Sequence, residues 1–180
     1  MLPFAAGETW CMSSSSDLRA LAVVDGLGRF QEFGPHYSRR TPGSVTFTGI
    51  GQELVLVSED GSAVWSVVRQ KTPSRPGSGA SRGRGGTPDE SPVFVWRNTV
   101  FRNLGTRISS LLIVEATKIT RDYWPRVYGT EPMERLRTEV EISKVQSTNP
   151  GYCYICAGWE RGPLRRGKLI MYAPPLPTTE

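Results

Sequence analysis

A chain of 180 residues with 38% hydrophobic residues can bury one globular core and needs no second one. A formal net charge of +5 and a pI near 9.4 favour an anionic partner, such as nucleic acid or a phosphorylated cofactor, although charge speaks to association and not to fold. No run approaches the ~18 apolar residues of a membrane span. Met1–Ser15 also lacks a cationic segment leading into an apolar one, so the expectation is a cytoplasmic protein with no membrane partner.

Residues 1–20, with four serines from Ser13 to Ser16, read as a partly ordered arm or one short helix. Residues 21–176 read as one domain and 177–180 as a tail. From Leu21 to Val68 the pattern is that of strands: Leu21–Gly26, Val45–Phe47, Leu54–Val57 and Ala63–Val68, each bounded by Gly, Asp, Ser or Pro. Ser58-Glu-Asp-Gly61 reads as the hairpin turn between the last two.

Residues 69–92 scatter Arg69, Lys71, Arg75, Arg82 and Arg84 among Gly, Ser and Pro, with no acid before Asp89. This predicts a flexible basic loop, either a solvated hairpin connection or a loose clamp on a phosphate backbone. A β-rich run (Val93–Trp96, then Thr99–Phe101) stops at a cationic Gly-containing turn, Arg102–Arg107, where an amphipathic helix begins. Unpaired backbone N–H groups and the positive end of the helix dipole converge at such a turn, which makes it a natural anion site.

Leu112, Ala116, Ile119 and Tyr123 share a helix face, which predicts a helix over Ser110–Trp124, capped by Ser109 or Ser110 and ended by Pro125. Leu136–Ile142 alternates apolar with charged residues as a half-exposed strand does. A short helix carrying Tyr152 and Tyr154, a segment from Trp159 to Pro163, a basic turn at Arg165–Lys168 and a last strand Leu169–Tyr172 follow. The three cysteines are an odd number and no disulfide framework. Cys153 and Cys156 have C-x-x-C spacing, yet with Cys11 and His36 as the remaining soft ligands they read as buried small hydrophobes. No metal ligand is assigned, and a metal requirement is left open.

The order strand, R-x-x-G-x turn, helix, strand, short helix into Ala157-Gly158-Trp159 and closing strand resembles the C-terminal half of the GNAT N-acyltransferase fold. Within that superfamily the chain is similar to the phage Mu Mom type of DNA-modification protein, on His36-Tyr37-Ser38, Phe101-Arg102-Asn103, Ser109–Ile113 and Asn149-Pro150-Gly151. The likeness runs over about residues 30–175. Arg107 stands where the family's cofactor turn has a small residue.

The resemblance implies a single α/β (α+β) domain with a mixed, mostly antiparallel central sheet, splayed around the Phe101–Ser110 turn, and helices on both faces. It implies acetyl-CoA or another acyl-CoA as donor, held by Arg102, Asn103, Gly105, Ser109 and Ser110. Transfer would go to the exocyclic amine of adenine in double-stranded DNA, inside a bacterial or phage-infected cell. That amine is a weak nucleophile and is stacked in the duplex, so the base must be extruded.

His36, the one histidine, is the candidate proton acceptor. Tyr37 is a candidate proton donor or stacking platform, and Tyr154, in preference to Tyr152, the phenol facing the thiolate. Arg39, Arg40, Arg69, Lys71, Arg82 and Arg84 are the candidate DNA contacts. A homodimer is compatible with the sequence. The alternatives are a GNAT enzyme acetylating a small amine or a protein, and a noncatalytic nucleic-acid binder.

Overall fold

The computed structural model describes residues 9–39, 41–71, 94–145 and 147–175. The expected tail, Arg40, Arg82 and Arg84 lie outside the described residues. Among the described residues seven strands form one open sheet: β1 (Trp10–Ser13), β2 (Gln52–Ser58), β3 (Ala63–Lys71), β4 (Phe94–Asn103), β5 (Arg137–Glu141), β6 (Glu160–Arg165) and β7 (Lys168–Tyr172). Their spatial order is β1-β2-β3-β4-β5-β7-β6. The helices are α1 (Leu18–Asp25), α2 (Ser109–Tyr128) and α3 (Tyr152–Cys156), with a 3₁₀ turn at Gly28–Phe33. This is a mixed α/β domain with a mostly antiparallel sheet.

β4 and β5 are the parallel pair, and their pairing covers just Arg97↔Arg137 and Asn98↔Thr138. Beyond Asn98 the two strands part, leaving Thr99 to Asn103 of β4 without a strand partner on that side among the described residues. The other neighbours run antiparallel, β5 with β7 from Arg137↔Tyr172 to Glu141↔Lys168 among them. A bulge between Ser66 and Val67 of β3 falls opposite Asn98 to Val100, at the level of the split.

Two apolar clusters use alternate residues of β2 and β3. Leu54, Leu56 and Trp65 pack with Leu112, Ile113, Ala116 and Trp124 of α2 and with Leu136, Val140, Leu169 and Met171. Val55, Val57, Val64 and Val100 pack with Ala20, Val23, Val24 and Phe30. Because side chains alternate along a strand, the continuous apolar runs of β2 and β3 serve both clusters. Two of the buried indoles are held at their polar edge, Trp65 Nε1 donating to Thr120 Oγ1 at 3.0 Å and Trp159 Nε1 to Thr117 Oγ1 at 3.3 Å, while the Nε1 atoms of Trp96 and Trp124 are buried with no hydrogen-bond partner among the described residues.

Several expectations are corrected. The expected arm over 1–20 contributes β1, an edge strand whose Trp10 indole reaches Leu112 O. Leu21–Gly26 is helical, not extended. Asp17 caps α1 by accepting from Arg19 N at 2.8 Å, and Gly26, at φ 65°, closes it with its N–H on Ala22 O. Ala20, Val23 and Val24 bury on one helix face, and this packing overrides the β preference of the valines. A Cβ at Gly26 would also stand 2.2 Å from Gly34 O.

Val45–Phe47 is not a strand, since the Arg39 guanidinium takes the carbonyls of Ser44 and Thr46 that a ladder would need. Arg69 and Lys71 belong to β3 and not to a loop. Pro125 does not end α2, which runs on to Tyr128 and closes at Gly129. Trp124 is fully buried there, and the Tyr128 hydroxyl both accepts from Glu53 N (3.1 Å) and donates to Glu53 O (3.0 Å), which holds the last turn despite the missing donor. Neither serine caps α2; the cap position is Ile108, with no side-chain hydrogen bond. β6 pairs with β7 across a tight turn at Arg166 (φ 51°) and Gly167 (φ 75°), and Pro163 is tolerated on this edge strand. Cys156 is exposed and Cys11 and Cys153 are half-buried, Cys153 against the larger cluster, so the thiols are not the fully buried residues expected.

Candidate active site: a cleft where β4 and β5 part

A cleft of about 630 Å³ opens beside the split, walled by residues 37–39 and by Thr41, Ser44 and Thr46 to Gly49, and floored by residues 97–100 of β4, Glu139 and Glu141 of β5 and Lys168 of β7. The wall is pinned from within. Arg39 forms a buried ion pair with Asp25, its Nη2 lying 3.1 Å from Asp25 Oδ2, while Nη1 donates to Thr46 O and Nη2 to Ser44 O, each at 2.5 Å. Arg39, a candidate DNA contact, therefore has its donors spent inside the protein.

His36 stands at the rim. Its backbone N–H donates to Val24 O at 2.7 Å, and its ring lies 4.3 Å from the Tyr37 ring. Ser38 N–H can only donate, and it points at Nδ1 (3.3 Å), which the Ser38 hydroxyl also meets at 2.7 Å. Nδ1 is thus the acceptor and the ring proton sits on Nε2. Desolvation, followed by the charge of Arg102, lowers the His36 pKa to about 4, so the ring is neutral at pH 7.

Tyr37 keeps 38% exposure, but its phenol reaches the Glu141 backbone in the cleft. Burial raises its pKa; the hydrogen bond to the Glu141 backbone opposes the rise, and the charges of Glu141, Cys153 and Glu139 add to it. Tyr154 lies at the root of the split. It is 6% exposed, and its hydroxyl donates to Asn98 Oδ1 at 2.7 Å. Asn98 in turn donates to Ser66 O and Val100 O, each at 2.9 Å, and Thr138 Oγ1 donates to Asn98 O. Desolvation raises the Tyr154 pKa well above its ordinary value, so this phenol stays protonated.

Arg102 turns away from the turn that follows β4. Its Nη1 donates to Val23 O (2.9 Å), Val24 O (3.3 Å) and Gly34 O (2.7 Å), and its Nη2 to Phe33 O (3.0 Å). It clasps the end of α1 to the sheet and so brings His36 beside β4. Asn103 organises the turn: Nδ2 donates to Arg107 O at 2.7 Å and Ser109 Oγ at 3.0 Å, and Oδ1 accepts from Gly105 N at 3.1 Å. Gly105 is required by packing, since a Cβ there would stand 2.2 Å from Ser62 Oγ.

Arg107 is exposed at the start of α2. Among the described residues no protein acceptor takes the backbone N–H groups of residues 106–110. Those free donors, and not Arg102, fit a phosphate group. Arg69 pairs with Glu134 at 2.5 Å and stacks on Phe94, and Lys71 is exposed at the end of β3.

The sequence reading missed Asn98, Arg97, Glu139, Glu141 and Lys168. The alternation of Leu136–Ile142 was the available signal, because its charged set had to face an uncovered side. Among the described residues no group of three potential metal ligands occurs, and no helix is long and apolar enough to cross a membrane. The chain matches no protein-family model, no curated protein and no solved structure.

Proposed function

We propose that the protein is a transferase built on the GNAT plan, which moves an acyl-type group from a coenzyme A thioester to the exocyclic amine of adenine in DNA. The observation that carries this reading is the strand order with a parallel β4–β5 contact two residues long, followed by separation beside a large cleft. An open wedge of this kind offers unpaired strand edges to an extended ligand, and the turn after β4 leads straight to a helix N-terminus with free N–H groups. The two apolar clusters, read with α1 and α2 on opposite sides of the sheet, fit the same plan.

In this reading the backbone N–H groups at 106–110 and Arg107 hold the cofactor phosphates, and the thioester supplies the activated carbonyl carbon. His36 receives a proton through the Ser38 hydroxyl that occupies Nδ1. Its depressed pKa keeps it unprotonated, although it is a weak base in consequence. Tyr37 offers a face to an extruded base. The net charge of +5 suits a polyanionic acceptor.

A second reading is favoured by Glu139 and Glu141 on the cleft floor, which would attract a cationic amine such as a polyamine or a lysine side chain. Thiol release from acetyl-CoA, measured with duplex DNA, with spermidine and with neither, separates the two. The first reading expects turnover with DNA; turnover with spermidine alone favours the second, and no turnover with either, at any acyl donor tried, removes both.

A further inference from the structure

Arg97 on β4, Arg137 on β5 and Lys168 on β7 surround one carboxylate, Glu139. Arg97 Nη1 lies 3.8 Å from Glu139 Oε1, Arg137 Nη2 3.5 Å from the same oxygen, and Lys168 Nζ 3.5 Å from Oε2. The registers Arg97↔Arg137 and Glu141↔Lys168 bring these cations together on three adjacent strands. Alternation along β5 sends Arg137, Glu139 and Glu141 to the side opposite buried Thr138 and Val140, and Arg97, Glu139, Glu141 and Lys168 all line the cleft.

The three cations differ from Arg39 and Arg102, whose donors end on carboxylate or carbonyl oxygens at hydrogen-bond distance. Here the contacts are long, and among the described residues no shorter polar partner engages any of the three. Arg137 Nε is buried with no hydrogen-bond partner. Three cations face two acids, Glu139 and Glu141, so positive charge is in excess even with both acids ionised. Donors this close together, aimed at one oxygen pair and poorly satisfied by it, form the geometry that receives a tetrahedral oxyanion.

We propose that Arg97, Arg137 and Lys168 form a phosphate-binding subsite on the cleft floor, with Glu139 as an internal competitor for the same donors. The inference rests on the reading of this cleft as the site of a transferase acting on DNA, and it assigns the subsite to a backbone phosphodiester next to the extruded base. Tyr37, beside Glu139 and Glu141, then stacks on the neighbouring nucleotide. A phosphate of the nucleotide cofactor carries the same chemistry, so the test includes both sources.

Fluorescence anisotropy with a short labelled duplex over a salt series reads the subsite directly. Arg97→Gln and Lys168→Gln are each expected to weaken binding and to lower the slope of log K against log salt by about one. Glu139→Gln is expected to tighten binding, a sign that a misfolded variant does not produce. Lys118→Gln, which removes the same charge from exposed α2, is expected to stay within about two-fold of the unsubstituted protein.

If calorimetry shows the opposed changes in coenzyme A affinity instead, the subsite stands and its phosphate belongs to the cofactor. The proposal is overturned if Lys118→Gln acts as strongly as Lys168→Gln, or if Glu139→Gln fails to tighten either ligand. Binding is read without turnover, so an inactive protein that gives these shifts loses the transferase reading and keeps the subsite, and the reverse result does the opposite.

Discussion

The β1–β4 half of the sheet and the β5–β7–β6 half are built on different rules. In β2 and β3 successive residues are buried, Leu54 to Val57 and Ala63 to Val68, because both sets of alternating side chains meet an apolar cluster. In β5 just Thr138 and Val140 are buried, while Arg137, Glu139 and Glu141 stay partly solvated. The first half is apolar on both sides, whereas the second adds Val140, Leu169 and Met171 to the larger cluster and leaves the charged side of β5 open, so the cleft forms where the two meet. The polar groups differ in the same sense: Arg39 and Arg102 are spent on internal partners, whereas Arg97 at the seam on β4, and Arg137 and Lys168 in the open half, are loosely held.

The largest loss of stability is expected from Arg39→Ala. It strands Asp25 in a site where both side chains are nearly inaccessible, and the loss expected is about 3–5 kcal/mol, read as a lower urea midpoint. Arg102→Ala is expected to cost about 2 kcal/mol, because four carbonyl contacts are lost, part of them close to solvent. A melting temperature equal to that of the unsubstituted protein would return Arg102 to the role of a surface anion ligand. Tyr154→Phe, at the seam between the halves, leaves Asn98 Oδ1 without its donor and is expected to cost about 1–2 kcal/mol.

Protonation of His36 acts on stability as well. The folded pKa of His36, about 4, lies below its ordinary 6.5, so the unfolded chain binds the proton more readily. Its contribution is whole above pH 6.5 and declines as pH falls through 6.5 toward 4. Asp17, lowered to about 2 by its Arg19 hydrogen bonds, acts below that window. Urea midpoints at pH 7 and pH 5 should therefore differ, and His36→Gln should flatten the difference. Glu139→Gln, in the open half, has the smallest expected effect on stability, about 1 kcal/mol or less, since its partners are loose and half-solvated.

The packed strands were legible because a run such as Leu54–Val57 has few uses other than burial on both sides. The charged side of β5 was legible from its alternation, but the convergence of Arg97 and Lys168 upon Glu139 was not, as it depends on pairings between strands distant in the chain. Helix α1 escaped the reading because valines carry a strand preference that two caps and a receptive apolar surface outweigh. Arg102 was taken for an anion ligand because nothing local reveals that its donors end on carbonyls 68 to 79 positions away. His36 was singled out as the one histidine, and with Tyr37 on a resemblance; Tyr37 lines the cleft and the His36 ring lies 4.3 Å from its ring.

The account turns on chemistry at a DNA base beside this split, and the most direct test is mass spectrometry of nucleosides from the DNA of cells expressing the protein. The account predicts an adenosine of increased mass that disappears with His36→Ala while the variant remains folded. A nucleoside profile identical to that of cells without the protein, with the folded protein present in quantity, would contradict it.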